Sequence, residues 1–344
     1  MKIETSYLRD ALDFLGKAVV VDKTKPMATS LIELSTHKGG LYGYTYDEQN
    51  YLRARICDTN EDFIITVSFD LLYGLVKSVG DDMVEITLVD DDRNVKFRAS
   101  SVTCKLPKYD NVVVHPKTTD CTEFLPIEDF NKYANMSVIR TALNSRHTTP
   151  CYSNIYFGET ILATDCNNAV VSRKRLFSSD ILLSPKSLSI LSKLDDFNYC
   201  IRKATWGSAL FVSSDNKVLY ILTADATEYQ WSEFMKLFAN TGKGSVEISK
   251  STISKALSTA SVLKLERLHL IFNEKGAFLQ IKNHDFIYRL SDTPCQNAVY
   301  ITNAALLGKL LSLGENLLIY YGATNFIRVV GDVYEEVLCM ASVT

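Results

Sequence analysis

The chain has 344 residues, 47% of them hydrophobic and 22% charged, with 15 glycines and 7 prolines. That composition excludes a disordered or collagen-like chain, and the length exceeds one ordinary core, which predicts two to three domains. Lysine and arginine number 37 against 40 acids, a net charge of −3. This excludes a protein that coats nucleic acid with a uniformly basic surface, but not one that gathers its cations on a single face.

No run approaches the roughly 18 apolar residues of a membrane helix. The opening MKIETSYLRDALDF has acids where a signal peptide needs an apolar core, so the expectation is a soluble, cytoplasmic protein. The cysteines at 57, 104, 121, 151, 166, 200, 295 and 339 show neither CxxC nor paired spacing and read as reduced thiols.

In chain order the predicted elements repeat. A helix over Ser6–Val20 carries Leu8, Leu12 and Leu15 on one stripe. The β-like runs LIELS, GLYGYTYD and YLRARI follow it. Ile64–Ser68 then leads into a second helix, FDLLYGLVKS, and the hairpin MVEITLVD and NVKFRAS. The second repeat opens with a helix over Ile127–Leu143, striped by Phe130, Tyr133, Ala134, Val138 and Ala142. SNIYFG, TILATD and AVVSRKRL follow, then Ile181–Ser184 and the helix PKSLSILSKL. The third has a helix over Ile248–Leu263 with Ile253, Ala256, Leu257 and Ala260. LHLIF, GAFLQIK and DFIYRL come next, then Val299–Thr302 and NAALLGKLLSL.

Ser68, Ser184 and Thr302 sit where N-caps belong, 116 and 118 residues apart, and Pro185 fits a first helical position. Boundaries are expected near Lys117–Cys121 and Ala239–Gly244, where LFANTGKGS reads as a linker, giving domains 1–118, 119–241 and 242–344.

This layout resembles the bacterial DNA polymerase III beta subunit, the sliding clamp, of which the chain is a divergent relative. DKTKPMATSLIELS followed by GLYGYTYDEQNYLRARI is similar to that family's first-domain segment, with Pro26 at the expected proline. FGETILATDCNNAVVSRKRL resembles its second-domain segment, and VLCMASVT its short apolar tail. The resemblance spans essentially the whole chain. It implies an α+β fold of three clamp domains, each with two helices packed on antiparallel sheets. Two copies would form a head-to-tail ring with the helices lining a central hole.

Helices facing DNA should be more basic than the rest. The helical spans hold ten basic residues, Arg9, Lys17, Lys77, Lys132, Arg140, Lys186, Lys193, Lys250, Lys255 and Lys309, against five acids, Asp10, Asp13, Asp70, Glu128 and Asp129. Segregated charge fits a ring that attracts phosphate inside, although any exposed helix face also carries lysines. Lys23 and Lys25, and Arg146 with His147, lie in loops that either add phosphate contacts or are ordinary solvated charges.

The resemblance also implies a pocket for short hydrophobic peptides of the polymerase catalytic subunit, the clamp loader and repair proteins. Its residues here are Tyr152, Thr164, Cys166, Asn167, Asn168, Ala169, Phe238, Leu338, Met340 and Ala341. The family's Gly-His-Arg-Leu run is Cys166-Asn167-Asn168-Ala169 in this chain, which shifts the expected peptide preference. Packing between two domains is the plainer reading of the same residues.

Phosphate loops are missing, the histidines at 37, 115, 147, 269 and 284 form no ligand cluster, and no nucleophile has an orienting partner. No catalysis, metal or cofactor is expected. The function implied is a processivity factor that encircles duplex DNA of any sequence and tethers a polymerase. The alternative is a clamp-fold protein that captures clamp-binding peptides without encircling DNA.

Overall fold

In the computed structural model all residues are described except 23, 81, 90–92, 111–112, 114, 117–122, 144–149, 166, 205–206, 224–230, 240–241, 264–266, 282–284, 323–324 and 343–344. The architecture is a strand, a helical segment and a three-stranded meander, repeated six times. The first repeat contains β1 (Lys2–Glu4), α1 (Thr5–Leu15), β2 (Leu31–His37), β3 (Gly40–Tyr46) and β4 (Asn50–Asp58). It continues through β5 (Ile64–Ser68), α2 (Phe69–Ser78), β6 (Met83–Val89), β7 (Asn94–Arg98) and β8 (Thr103–Pro107).

The second repeat runs through β9 (Leu125–Ile127), α3 (Phe130–Tyr133), α4 (Met136–Ile139), α5 (Pro150–Ser153), β10 (Ile155–Phe157), β11 (Ile161–Thr164) and β12 (Asn168–Ser172). Its second half is β13 (Ile181–Leu183), α6 (Pro185–Leu191), β14 (Phe197–Ala204), β15 (Gly207–Ser214) and β16 (Lys217–Thr223). After α7 (Trp231–Ala239), the third repeat begins with β17 (Gly244–Ser249), α8 (Lys250–Val262), β18 (Leu268–Asn273), β19 (Gly276–Ile281) and β20 (Phe286–Ser291). It ends with β21 (Ala298–Thr302), α9 (Ala304–Lys309), β22 (Asn316–Tyr321), β23 (Phe326–Val330), β24 (Tyr334–Cys339) and the tail strand β25 (Ala341–Ser342).

Within each repeat the two opening strands are exchanged. β1 pairs with β6 and β5 with β2; β9 pairs with β14 and β13 with β10; β17 pairs with β22 and β21 with β18. All these ladders are antiparallel. Meanders of successive repeats then join edge to edge through two five-pair seams, β4 on β16 and β12 on β24. The seams produce two eight-stranded sheets, and the remaining strands form a four-stranded sheet β1-β6-β7-β8 and a five-stranded sheet β20-β19-β18-β21-β25. The chain divides into two compact units, Met1–Glu128 with Asp196–Thr223, and Asp129–Asp195 with Ala224–Thr344. Each unit contains one eight-stranded sheet built from two repeats.

Several local expectations are corrected. The helix expected over Ile127–Leu143 is broken into α3, α4 and a 3-10 turn, Arg140–Ala142. The break is at Asn135, whose side chain accepts from the Ser137 N–H while its own N–H donates to the Tyr334 hydroxyl rather than to a helical carbonyl. Ser184 caps α6 as expected, accepting from the Ser187 N–H. In the third repeat the cap is Asn303, not Thr302, and the Ser68 side chain makes no cap bond. Residues Trp231–Ala239 form a helix that takes in Leu237, Phe238 and Ala239, the first three residues of the expected linker.

The seam strands enter through a shared turn. Asp47 Oδ1 accepts from the N–H groups of Gln49 at 3.1 Å and Asn50 at 2.6 Å. Asp165 Oδ1 accepts from Asn167 at 3.0 Å and Asn168 at 2.7 Å. Asx bonding of this kind lets one side chain satisfy two backbone donors. Replacing Asp47 by Ala strands those donors at a buried site, and we expect a loss of about 1–3 kcal/mol, read from the urea unfolding midpoint.

Candidate functional site

In the second unit, helix α7 packs on the sheet face formed by β10, β11, β12 and β24. Its apolar side follows helical spacing, Trp231, Phe234 and Phe238. Trp231 stacks on Tyr156 with centroids 4.3 Å apart and planes 16° from parallel. Phe238 is fully buried, and the cluster closes with Leu162, Ala169, Val171, Leu182 and Val337. Tyr152, Phe234, Met235, Leu237 and Phe326 are only partly buried against it. Tyr152 meets Phe234 edge-on at 6.3 Å. The result is a buried apolar floor with a half-exposed aromatic rim, the arrangement that suits an apolar anchor from a short peptide.

The expected peptide residues fall into two groups. Tyr152, Ala169 and Phe238 belong to this cluster. Thr164 and Asn168 hold the turn that borders it, the Thr164 hydroxyl donating to the Asn168 carbonyl at 2.8 Å. Asn167 is exposed, and its carbonyl accepts from the Cys339 N–H at 3.0 Å. Cys166 lies outside the described residues. Leu338 pairs with Asn168 while Val337 pairs with Ala169, so Leu338 lies on the opposite sheet face and Val337 joins the cluster.

Met340 and Ala341 form the second group. The Met340 N–H donates to the Asn325 carbonyl at 2.7 Å, and Ala341 pairs with Ile301 in β21. Together with Arg267, Asn303, Leu306 and Cys339 they line a groove of about 690 Å³. Trp231, Phe234, Val337 and Arg267 were not anticipated. The helical spacing of the first two was readable in QWSEFMKLF, and Arg267 carried no sequence signal.

The first unit places different side chains on its equivalent face. Counted from the shared turns, Tyr51 takes the position of Ala169. It packs with Tyr44 and Val113 and hydrogen-bonds His115 Nδ1 at 2.7 Å. His115 Nε2 lies 3.1 Å from Glu33. A carboxylate only accepts, so in the neutral ring Nε2 carries the proton and Nδ1 accepts from the Tyr51 hydroxyl. Burial holds the Tyr51 phenol well above its ordinary pKa. That face is filled by a polar, self-satisfied cluster, whereas the second unit leaves an apolar rim.

The expected DNA contacts are sorted by their surroundings. Lys17, Arg140, Lys193 and Lys255 are exposed, and their side chains make no hydrogen bond or ion pair among the described residues. Lys77 and Lys132 are exposed and lie over the rings of Tyr73 and Tyr133, at 4.2 and 5.2 Å. Lys186 is half-buried. Lys25 pairs with Glu48 at 2.5 Å and Lys250 with Glu315 at 3.0 Å, both at the surface. Arg9 turns inward, donating to the Val76 and Val79 carbonyls at the end of α2. Lys309 donates to the Thr141 carbonyl. Lys23, Arg146 and His147 lie outside the described residues. Among the described residues no His, Cys, Asp and Glu group could hold a metal, and no helix is long and apolar enough to cross a membrane.

No protein-family model matches the chain, and no curated protein sequence does. Solved structures do. The Helicobacter pylori beta clamp bound to a DNA ligase peptide superposes with a TM-score of 0.82 at 12% identity, covering 99% of both chains. The DNA polymerase III beta subunit of Thermotoga maritima gives 0.83 at 12% identity over 100% of this chain and 99% of that one. Caulobacter crescentus pol III beta gives 0.83 at 15% identity over 99% of both. The chain has the sliding-clamp fold. At these identities the likeness establishes architecture alone.

Trp231 is the α7 side chain that stacks on Tyr156. Replacing it by Ala leaves a cavity at that stack, and we expect a loss of about 3 kcal/mol in urea unfolding.

Proposed function

We propose that this protein is a sliding clamp, a non-catalytic processivity factor that closes around duplex DNA as a head-to-tail homodimer. The domains of this reading are the three repeats, 1–118, 119–241 and 242–344. One observation carries the proposal. The last strand of each first-half meander is β4, β12 or β20, and that of each second-half meander is β8, β16 or β24. Within the chain β4 joins β16 and β12 joins β24. Among the described residues β8 pairs only with β7 and β20 only with β19. The series leaves one meander edge of each kind at its two ends. A second copy placed head to tail pairs β20 with β8 twice, closing the ring of meanders and leaving only the opening and tail strands as sheet edges. Ile287, 61% exposed on β20, is then covered.

In such a ring the helical segments face the DNA. Lys17, Arg140, Lys193 and Lys255 offer long flexible cations to phosphate, which suits sequence-independent sliding because phosphate carries no base identity. The rim around Tyr152 and Phe234, with the neighbouring groove at Met340, is the docking site for the clamp-binding peptides of the polymerase catalytic subunit and the clamp loader. The Helicobacter pylori clamp, bound to a DNA ligase peptide, supports a peptide partner for this fold.

The deciding measurement is solution mass by light scattering at micromolar and nanomolar concentration. A species near twice 38.6 kDa that survives dilution is expected; a monomer throughout favours a peptide-capturing protein that does not encircle DNA. Retention on nicked circular DNA with loss from linear DNA of equal length tests encirclement directly. Changing Lys186, Lys193, Lys250 and Lys255 together to Gln should reduce the salt slope of retention by about 0.9 for each phosphate no longer neutralised, without lowering the unfolding midpoint. Deleting Met340–Thr344 should abolish binding of a DNA ligase peptide and leave the dimer intact; retained affinity would place the peptide elsewhere.

A further inference from the structure

Glu336 is 0% exposed on β24, and neither carboxyl oxygen has a hydrogen-bond partner. The other seam is an internal control. Asn50 and Asn168 are equivalent, because the Asp47 and Asp165 turns bond to them in the same way. Two residues further on, Leu52 pairs with Leu219, while Val170 pairs with Glu336. Leu219 is as deeply buried as Glu336. Packing alone therefore asks for leucine at this position, and an unpaired buried acid is costly.

A second substitution accompanies the first. Counted from the helix caps Ser184 and Asn303, the sixth residue is Ile190 in α6 and Lys309 in α9. Ile190 is buried, and Lys309 is half-buried with its ammonium donating to the Thr141 carbonyl. Two apolar positions of the second repeat's helix and strands thus become a base and an acid in the third.

The groups around Glu336 can be named from each element packed on it. Lys309 of α9 favours the carboxylate, and Asp165 in the β11–β12 turn disfavours it. The 3-10 turn packs on β12 and holds the Lys309 ammonium at the Thr141 carbonyl. It contributes the Thr141 hydroxyl, which also favours the carboxylate although its own bond is to the Val138 carbonyl. Lys309 itself makes no direct ion pair with Glu336. On the same face of β12 lie Asn168 and Ser172, each with a buried side-chain oxygen that lacks a partner. β23 contributes Val329, and Tyr334 is engaged with Asn135 and Lys132. Glu335 pairs with Arg173 and Arg328 on the opposite face. Burial outweighs Lys309, and the Glu336 carboxyl is pushed up to about 8.

We propose that Lys309 is the internal counter-cation of Glu336, a positioning residue of the seam between the second and third repeats, and that it makes no contact with phosphate. The last clause rests on the DNA-encircling reading; the first does not. Because Glu336 and Val337 are adjacent on β24, this couple lies on the reverse side of the face where α7 packs.

The test is urea unfolding of the full chain from pH 5 to 9.5 for wild type, E336Q and K309M. Folded Glu336 keeps its proton to higher pH than it does in the unfolded chain. Between the ordinary glutamate range and about pH 8 the folded state therefore binds more protons, and stability falls as pH rises through that window. E336Q should lose this fall. K309M, without the cation that favours the carboxylate, should carry the fall to higher pH. A K309M profile that coincides with wild type overturns the couple, because a merely structural lysine would not move a titration. If K309M does not fold, the double variant K309M/E336L, which restores the apolar pair, should fold with a flat profile; a double variant that retains the wild-type fall also overturns it.

In parallel, the salt slope of retention on nicked circular DNA should be unchanged in K309M. A decrease of about one in that slope would make Lys309 a phosphate contact and overturn the second clause. Wild-type protein that is not retained on circular DNA would fail the functional reading itself, and the pH profiles would still decide the couple.

Discussion

Edge-to-edge pairing of β-meanders is the constraint from which the rest of this molecule follows. An exposed strand edge carries unpaired N–H and C=O groups, and a fold must cover, shorten or pair it. Here pairing is used twice within the chain, at β4 with β16 and at β12 with β24. Each seam fuses two meanders into an eight-stranded sheet and fixes the register of every side chain on it. The surfaces that could bind a partner, and the helical segments that could meet a polyanion, are positioned by these two ladders.

The seams share backbone geometry but not chemistry. One presents Tyr51, His115 and Glu33 as a polar cluster that satisfies itself, with Leu219 buried on the reverse face. The other presents Ala169 beneath an aromatic helix, with Glu336 on the reverse. A repeated scaffold can thus keep one backbone geometry at both junctions while changing the chemistry each of them carries. The smaller residue at Ala169 matters in this respect, since a tyrosine there would occupy the space into which Trp231 and Phe238 pack.

Much of the architecture was legible in the sequence because it depends on local signals. Apolar stripes and β-like runs recur at a nearly constant spacing, and the structure places helices and meanders where they recur, whereas of the three expected hydroxyl caps only Ser184 bonds as one. The broken helix was not legible. Phe130, Tyr133, Ala134, Val138 and Ala142 keep helical spacing across a break that depends on Tyr334, far along the chain. Helix α7 was hidden by the polar NTGKG run beside it. Val337 rather than Leu338 faces the aromatic cluster because sheet faces alternate with every residue, so an offset of one inverts the assignment. Which cations stay free for a ligand was also unreadable. Arg9 is taken up by carbonyls 67 and 70 residues away, and Lys309 by one 168 residues away.

The exchange of opening strands has a consequence for how the chain can be made. β1 has no partner until β6 exists, and β2 lacks its neighbour β5 until Ser68 has been synthesised. Neither half of a repeat can complete a sheet alone. The seams lengthen the wait further, since β4 must remain an open edge until β16 emerges more than 150 residues later. A ribosome adding about 5–20 residues per second leaves that edge exposed for roughly ten seconds or more. Such non-local pairing predisposes a chain to slow folding and to mispairing between nascent copies. The order in which strands leave the ribosome, and the concentration of neighbouring copies while they do, therefore bear on the yield of native protein as directly as its final stability.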